Sequence, residues 1–113
     1  MESQAAVKRL SALAQDSRLA VFRALVKAGP EGLAAGEIAR RLAITPNTLS
    51  AQLTILANAG LVVPRRDGRS IIYVADYDGM SELIVHLMED CCQGRPEVCQ
   101  PVALAVSRAA CCV

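Results

Sequence analysis

Residues 45–60, Thr-Pro-Asn-Thr-Leu-Ser-Ala-Gln-Leu-Thr-Ile-Leu-Ala-Asn-Ala-Gly, carry their own start and stop signals. The Thr45 hydroxyl can accept from a backbone N–H of a first helical turn. Pro46 follows at the first helical position, where its missing N–H costs nothing. Gly60 stands where a left-handed C-terminal cap is wanted. Leu49, Leu53 and Leu56 recur at i, i+4 and i+7, so they share one buried face. The opposite side carries Asn47, Thr48, Ser50, Ala51, Gln52 and Thr54, which are short, uncharged side chains. Such a face can lie against base edges in a major groove, where Asn and Gln pair with adenine and Ser or Thr with either partner. A solvated amphipathic helix shows the same pattern, so the helix alone does not decide.

The next stretch does. Leu61 to Val74 reads Leu-Val-Val-Pro-Arg-Arg-Asp-Gly-Arg-Ser-Ile-Ile-Tyr-Val. Two β-branched runs flank Asp67-Gly68, a two-residue hairpin turn signal. Arg65, Arg66 and Arg69 crowd the turn. A hairpin with arginines at its tip, directly after a helix with a readable face, is the pattern of a winged helix. Its arginines are placed to touch phosphates or the minor groove. Edge protection is the plainer role for charges at such a turn, but helix and hairpin together favour double-stranded DNA as the partner.

The chain's 113 residues suit one domain with a modest core. The 53% hydrophobic fraction overstates that core, because 19 residues are alanine and three are aromatic. No apolar run reaches the ~18 residues of a membrane span, and no secretory signal is visible. A cytoplasmic protein with no membrane partner is expected, its five cysteines reduced. Net charge is +1, but residues 1–75 carry ten basic and five acidic side chains, while residues 76–113 carry two and six. The basic half holds the expected DNA surface.

In chain order, a first helix is expected over about 4–14, with Val7, Leu10 and Ala14 on one face. Asp16 or Ser17 can cap a second, through Lys27, with Leu19, Phe22, Leu25 and Val26 as core, ended by Gly29-Pro30. Gly32 and Leu33 read as a connection. A third helix, about 35–43, points Ile38 and Leu42 inward and braces the reading helix in a helix-turn-helix. After the hairpin, Asp76 can cap a fifth helix, about 77–92, whose stripe is Met80, Leu83, Ile84, Leu87 and Met88. A small domain has little interior left for so late a stripe. It is read, with the first helix, as the seam of a homodimer. The fold class is therefore mainly α with a β-hairpin wing: a homodimeric winged helix-turn-helix over 1–92, then a cysteine-containing tail over 93–113.

All five cysteines, Cys91, Cys92, Cys99, Cys111 and Cys112, fall in the last 23 residues. Adjacent cysteines on a continuous helix point about 100° apart, so Cys91 and Cys92 can share an ion only where the helix ends, as Gly94 suggests. A turn through Gly94 and Pro96 can bring Cys99 back to them. Three thiolates make a soft site, which suits As(III) with its lone pair in the fourth direction, or Sb(III). Cys111 and Cys112 form an auxiliary pair or simply small apolar side chains. The helix C-terminus, with Glu89 and Asp90 beside it, disfavours free thiolates, so ion binding must displace protons. His86 and Glu89 can supply half of a zinc site, but the chain has one histidine and no second pair.

As a whole the chain resembles the ArsR family of metal- and metalloid-responsive repressors. The resemblance covers roughly residues 7–92 and rests on Ala14 to Phe22, Thr48 to Leu53, Ala59-Gly60-Leu61-Val62 and Arg65-Arg66-Asp67-Gly68-Arg69. It implies a dimer that sits on its operator and leaves when the ion binds. Many arsenic-responsive members carry a cysteine pair in the third helix, where this chain has Ala34-Ala35-Gly36-Glu37-Ile38-Ala39. That points the inducer to Cys91, Cys92 and Cys99. Zinc-responsive members use two pairs on the fifth helix, and at the positions of one pair this chain has Tyr73 and Ala75.

The expected function is a DNA-binding repressor, not an enzyme, released by trivalent arsenic. A redox-sensing or cadmium- or lead-sensing repressor of the same fold is the nearest alternative. A small thiol enzyme lacks a Cys-x-x-Cys motif and an anion-binding loop; a soft-metal carrier would ignore DNA.

Overall fold

The computed structural model describes residues 1–91 together with 101, 104 and 105. The elements run α1 (Ser3–Leu13), α2 (Asp16–Ala28), a 3-10 turn (Gly29–Glu31), β1 (Leu33–Ala34), α3 (Ala35–Leu42), α4 (Pro46–Asn58), β2 (Val62–Asp67), β3 (Ser70–Ala75) and α5 (Tyr77–Cys91). Five helices and a hairpin thus lie where the apolar periodicity puts them.

Helix ends follow the local chemistry. Pro46 opens α4 behind Thr45, whose backbone is extended. The Thr45 hydroxyl caps no backbone N–H; it donates to the Thr48 hydroxyl at 2.9 Å. At the far end Gly60 takes φ 82°, and the Leu61 N–H reaches the Leu56 carbonyl at 3.0 Å while the Gly60 N–H reaches that of Ala57 at 3.1 Å. This paired arrangement satisfies the last carbonyls of α4. Asp76 caps α5, its Oδ1 accepting from the Gly79 N–H at 3.0 Å. Helix α2 differs from expectation: Gln15 is its cap, accepting from the Arg18 N–H at 2.9 Å, and Asp16 is already in the first turn.

The sheet holds two further departures. Leu33 and Ala34 form a short strand, pairing with Tyr73 and Ile72, so the sheet is three-stranded and antiparallel in the order β1-β3-β2. Gly32, at φ 70°, admits this pairing, because a Cβ there would overlap the Tyr73 carbonyl. A two-residue strand leaves no alternation to read. In the hairpin, Asp67 pairs with Ser70, so the turn residues are Gly68 and Arg69, one step beyond the expected Asp67-Gly68. Gly68, at φ 63°, occupies the first turn position, where the hairpin's twist demands a positive φ. Pro64 is tolerated because β2 is an edge strand.

One apolar cluster, including Phe22, Leu25, Ile38, Leu49, Leu53, Leu56 and Leu61, fills the space between α2, α3, α4 and the sheet. In α2 the buried residues are Val21, Phe22 and Leu25, while Leu19 and Val26 face outward, unlike the expected core. Helix α1 buries Ala6 and Ala12 and turns Val7 and Leu10 out. Helix α5 divides its stripe. Leu83 is buried and Met80 packs on the core, whereas Ile84, Val85 and Leu87 are exposed. No helix of the described residues is long and apolar enough to cross a membrane.

Candidate nucleic-acid interface

Helix α4 presents Asn47, Thr48, Ser50, Ala51 and Thr54 on its exposed side, as its periodicity requires. Two of these side chains are tied locally. Thr48 accepts from Thr45, and the Thr54 hydroxyl donates to the Ser50 carbonyl at 2.9 Å. Asn47 and Ser50 stand at the N-terminal end with no charged residue in the helix beside them. A face so short and neutral lets the helix backbone approach a groove closely, and the amide and hydroxyls offer both donors and acceptors.

Gln52 is not part of that face. It is 9% exposed, and its Oε1 accepts from Arg18 Nη1 at 3.2 Å. The reason is helical geometry: Gln52 follows Leu49 by three positions and precedes Leu56 by four, so it belongs to the buried stripe. The same Arg18 donates through Nε to the Ala12 carbonyl at 2.7 Å and through Nη2 to that of Ser11 at 3.5 Å. One guanidinium thus closes the C-terminal end of α1 and fixes the reading helix to α2. Arg9 acts likewise on the other flank, reaching the Ala59 carbonyl through Nε at 2.9 Å. Neither arginine was marked by the sequence, because carbonyl partners leave no pattern in it.

The wing arginines also separate. Arg65 donates to the Pro30 carbonyl at 3.1 Å and the Glu31 carbonyl at 3.0 Å, pinning β2 to the 3-10 turn. Arg65 stays exposed, and these two bonds orient its guanidinium on the wing side of the 3-10 turn. Arg66 is exposed beside the turn, and Arg69 is a turn residue itself. Arg9, Arg18 and Arg65 all aim their guanidinium groups at backbone carbonyls.

Cys91 closes α5. Cys92, Cys99, Cys111 and Cys112 lie outside the described residues. His86 and Glu89 border an open groove of about 430 Å³ on α5, with Asp78, Ser81, Glu82, Val85 and Met1. Among the described residues no group of three or more His, Cys, Asp or Glu is placed to hold a metal ion.

A helix-turn-helix between brace and reading helix, followed by a hairpin wing, defines a winged helix-turn-helix protein. The helix-turn-helix domain family matches residues 13–65. The HTH-type transcriptional regulator NmtR of Mycobacterium tuberculosis is 41% identical over 76 residues, covering 65% of this chain and 61% of that protein. The chain spans 66% and 61% of the length of the two curated relatives it matches. Among solved structures, NolR from Sinorhizobium fredii is 30% identical with a TM-score of 0.61, over 77% of this chain and 84% of that one. The homodimeric winged helix-turn-helix DNA-binding domain Mb0332 of Mycobacterium bovis, described as a possible ArsR-family regulator, is 27% identical with a TM-score of 0.63, over 77% and 80%. A possible transcriptional regulator for arsenical resistance is 26% identical with a TM-score of 0.62, over 73% and 82%. This chain belongs to the ArsR family of transcriptional regulators.

Proposed function

We propose that the chain is a cytoplasmic, homodimeric repressor that binds an operator in double-stranded DNA and is released by trivalent arsenic. The observation that carries the DNA reading is the neutral outward face of α4, continuous in sequence with a wing whose tip is Arg69. Asn47, Thr48, Ser50, Ala51 and Thr54 lie against base edges, and Arg66 and Arg69 meet backbone phosphates. Gln52 braces α4 from its buried side, and Arg65 ties the wing strand to the 3-10 turn from the surface, where it can also meet a phosphate. The homodimeric M. bovis relative and the exposed apolar residues of α1 and α5 support two copies meeting along those helices.

The inducer reading rests on the thiols and on the relative linked to arsenical resistance. Cys91 is the last described residue of α5, a helix of the proposed seam, and Cys92 and Cys99 come after it in sequence. Cys91, Cys92 and Cys99 form a soft donor set suited to As(III) or Sb(III), with Cys111 and Cys112 as auxiliaries. Drawing the tail against the end of α5 shifts the seam and moves the two reading helices out of register with their half-sites. Coupling of this kind is reciprocal, so operator DNA weakens arsenite binding by the same factor.

Gel-shift titration with arsenite tests both parts. The wild type is expected to leave its operator, and Cys91→Ser to stay bound at concentrations that free the wild type. Equal release of both proteins rejects the thiol site. Release by peroxide without metalloid favours the redox reading.

A further inference from the structure

We infer that Arg9 is the positioning residue that sets the reading helix against the dimer-forming helices; this rests on the reading proposed above. Arg9 lies on α1, and its side chain is 14% exposed. Its Nε donates to the Ala59 carbonyl, at the end of α4, at 2.9 Å. Its Nη1 donates to the Gly79 carbonyl, in the first turn of α5, at 2.6 Å, and meets Glu82 Oε2 at 3.1 Å. Its guanidinium also packs beside Gly60, whose carbonyl oxygen abuts Gly79 so closely that a Cβ there would overlap it. Three helices therefore converge on one planar cation at the point where α4 turns into the wing strand.

The chemistry suits a rigid clamp. A guanidinium holds several donors in a fixed plane, so it specifies angles as well as distances. The carbonyls it reaches lie at the negative end of α4 and in α5, and donors carrying charge bond them more strongly than neutral ones. Helices α1 and α5 carry the exposed apolar residues of the proposed seam. The angle of α4 to that seam fixes the distance between the two reading helices of a dimer, and hence the half-site spacing the dimer accepts. Arg9 makes none of its bonds on the outward side of α4, so it acts on DNA only through this geometry. Glu82, with a side chain 59% exposed, is the dispensable partner of the three.

The test compares wild type, Arg9→Met, Arg9→Lys and Glu82→Gln. The probes are duplexes selected by the wild type from a random library, then rebuilt with half-sites moved by one and two base pairs. Arg9→Met is expected to remain dimeric and to bind the selected duplex about 10-fold more weakly. Its salt slope stays that of the wild type, because no phosphate contact is lost. Its preference for the selected spacing collapses. Arg9→Lys, which keeps the charge and folds without the fork, is expected to lose spacing preference too. Glu82→Gln is expected to match the wild type. In parallel, amide hydrogen exchange at Gly60 and Leu61 is expected to accelerate in both Arg9 variants, with exchange at Val21 to Leu25 unchanged. Unchanged spacing preference and unchanged exchange would overturn the clamp. A salt slope lowered by about one would also overturn it, since that marks a phosphate contact, as would Glu82→Gln behaving like Arg9→Met. A wild type that selects no duplex defeats the DNA reading instead, and hydrogen exchange then still decides whether Arg9 fixes the α4–α5 junction.

Discussion

Asn47 and Gln52 share α4 and have similar side chains, yet they sit in opposite surroundings. Asn47 is exposed at the helix N-terminal end; Gln52 is buried and accepts from Arg18. Removing the Gln52 amide leaves a partly buried guanidinium N–H without its acceptor, which costs about 1–3 kcal/mol. Gln52→Ala is therefore expected to lower the denaturation midpoint while keeping the wild-type base preference. Asn47→Ala is expected to do the reverse: stability within about 0.5 kcal/mol, with discrimination at one base pair reduced by about 1–3 kcal/mol. Urea denaturation and competition with single-base-pair variants of the operator measure the two effects. If Gln52→Ala changed base preference at unaltered stability, Gln52 would belong on the DNA after all. From sequence Gln52 is expected on the groove-facing side, although its spacing from Leu49 and Leu56 sets it on the buried stripe, and the arginines that brace the helix leave no signal at all. A long-range bond to a carbonyl depends on where α1 and α2 end in space, and no local pattern encodes that.

The elements themselves were largely readable, because their ends are chemical events. Pro46, Gly60 and Asp76 mark boundaries by backbone rules, and the structure keeps all three. The strand at Leu33 escaped because two residues owe their extension entirely to pairing with β3. The one-residue shift of the hairpin turn has a similar origin. Asp67-Gly68 and Gly68-Arg69 both satisfy the turn, and register with β3 chooses between them. Glycines test how far local preference extends. Gly36 lies inside α3 with no atom within 4 Å of an added Cβ. Gly36→Ala should thus gain about 0.5–1 kcal/mol from helix propensity. Gly79 lies inside α5, where the same gain applies, but its Cβ would overlap the Gly60 carbonyl. Overpacking against backbone costs about 1–3 kcal/mol, so Gly79→Ala is expected to destabilise. Thermal melting of the two variants should move in opposite directions. Stabilisation by both would mean that α5 can slide on the α4–β2 turn without penalty.

At the scale of the whole molecule the open question is what covers the apolar residues left outside the core. Val7, Leu10, Ile84, Val85 and Leu87 are 64%, 42%, 48%, 53% and 41% exposed, and they come from the two helices that meet at Arg9 and Glu82. The periodicity of α5 showed a stripe too wide for one partner, but it could not say which edge faces inward, since Leu83 and Ile84 are neighbours in sequence and opposites in burial. An apolar surface gathered on a small domain is the usual mark of an interface. In the proposed dimer a second copy of the chain would also strengthen the hold of the reading helix, because two linked half-site contacts exceed one by about 10²–10⁴ in affinity. Val85→Glu places a charge in that surface without touching the core. It is expected to sediment as a folded monomer at concentrations where the wild type is a dimer. Operator affinity should fall at least ~100-fold for the same reason, while binding to an isolated half-site stays unchanged. A Val85→Glu protein that remained dimeric and bound its operator like the wild type would move the seam away from α5. It would also remove the route by which an ion held at Cys91 could reach the DNA-reading face.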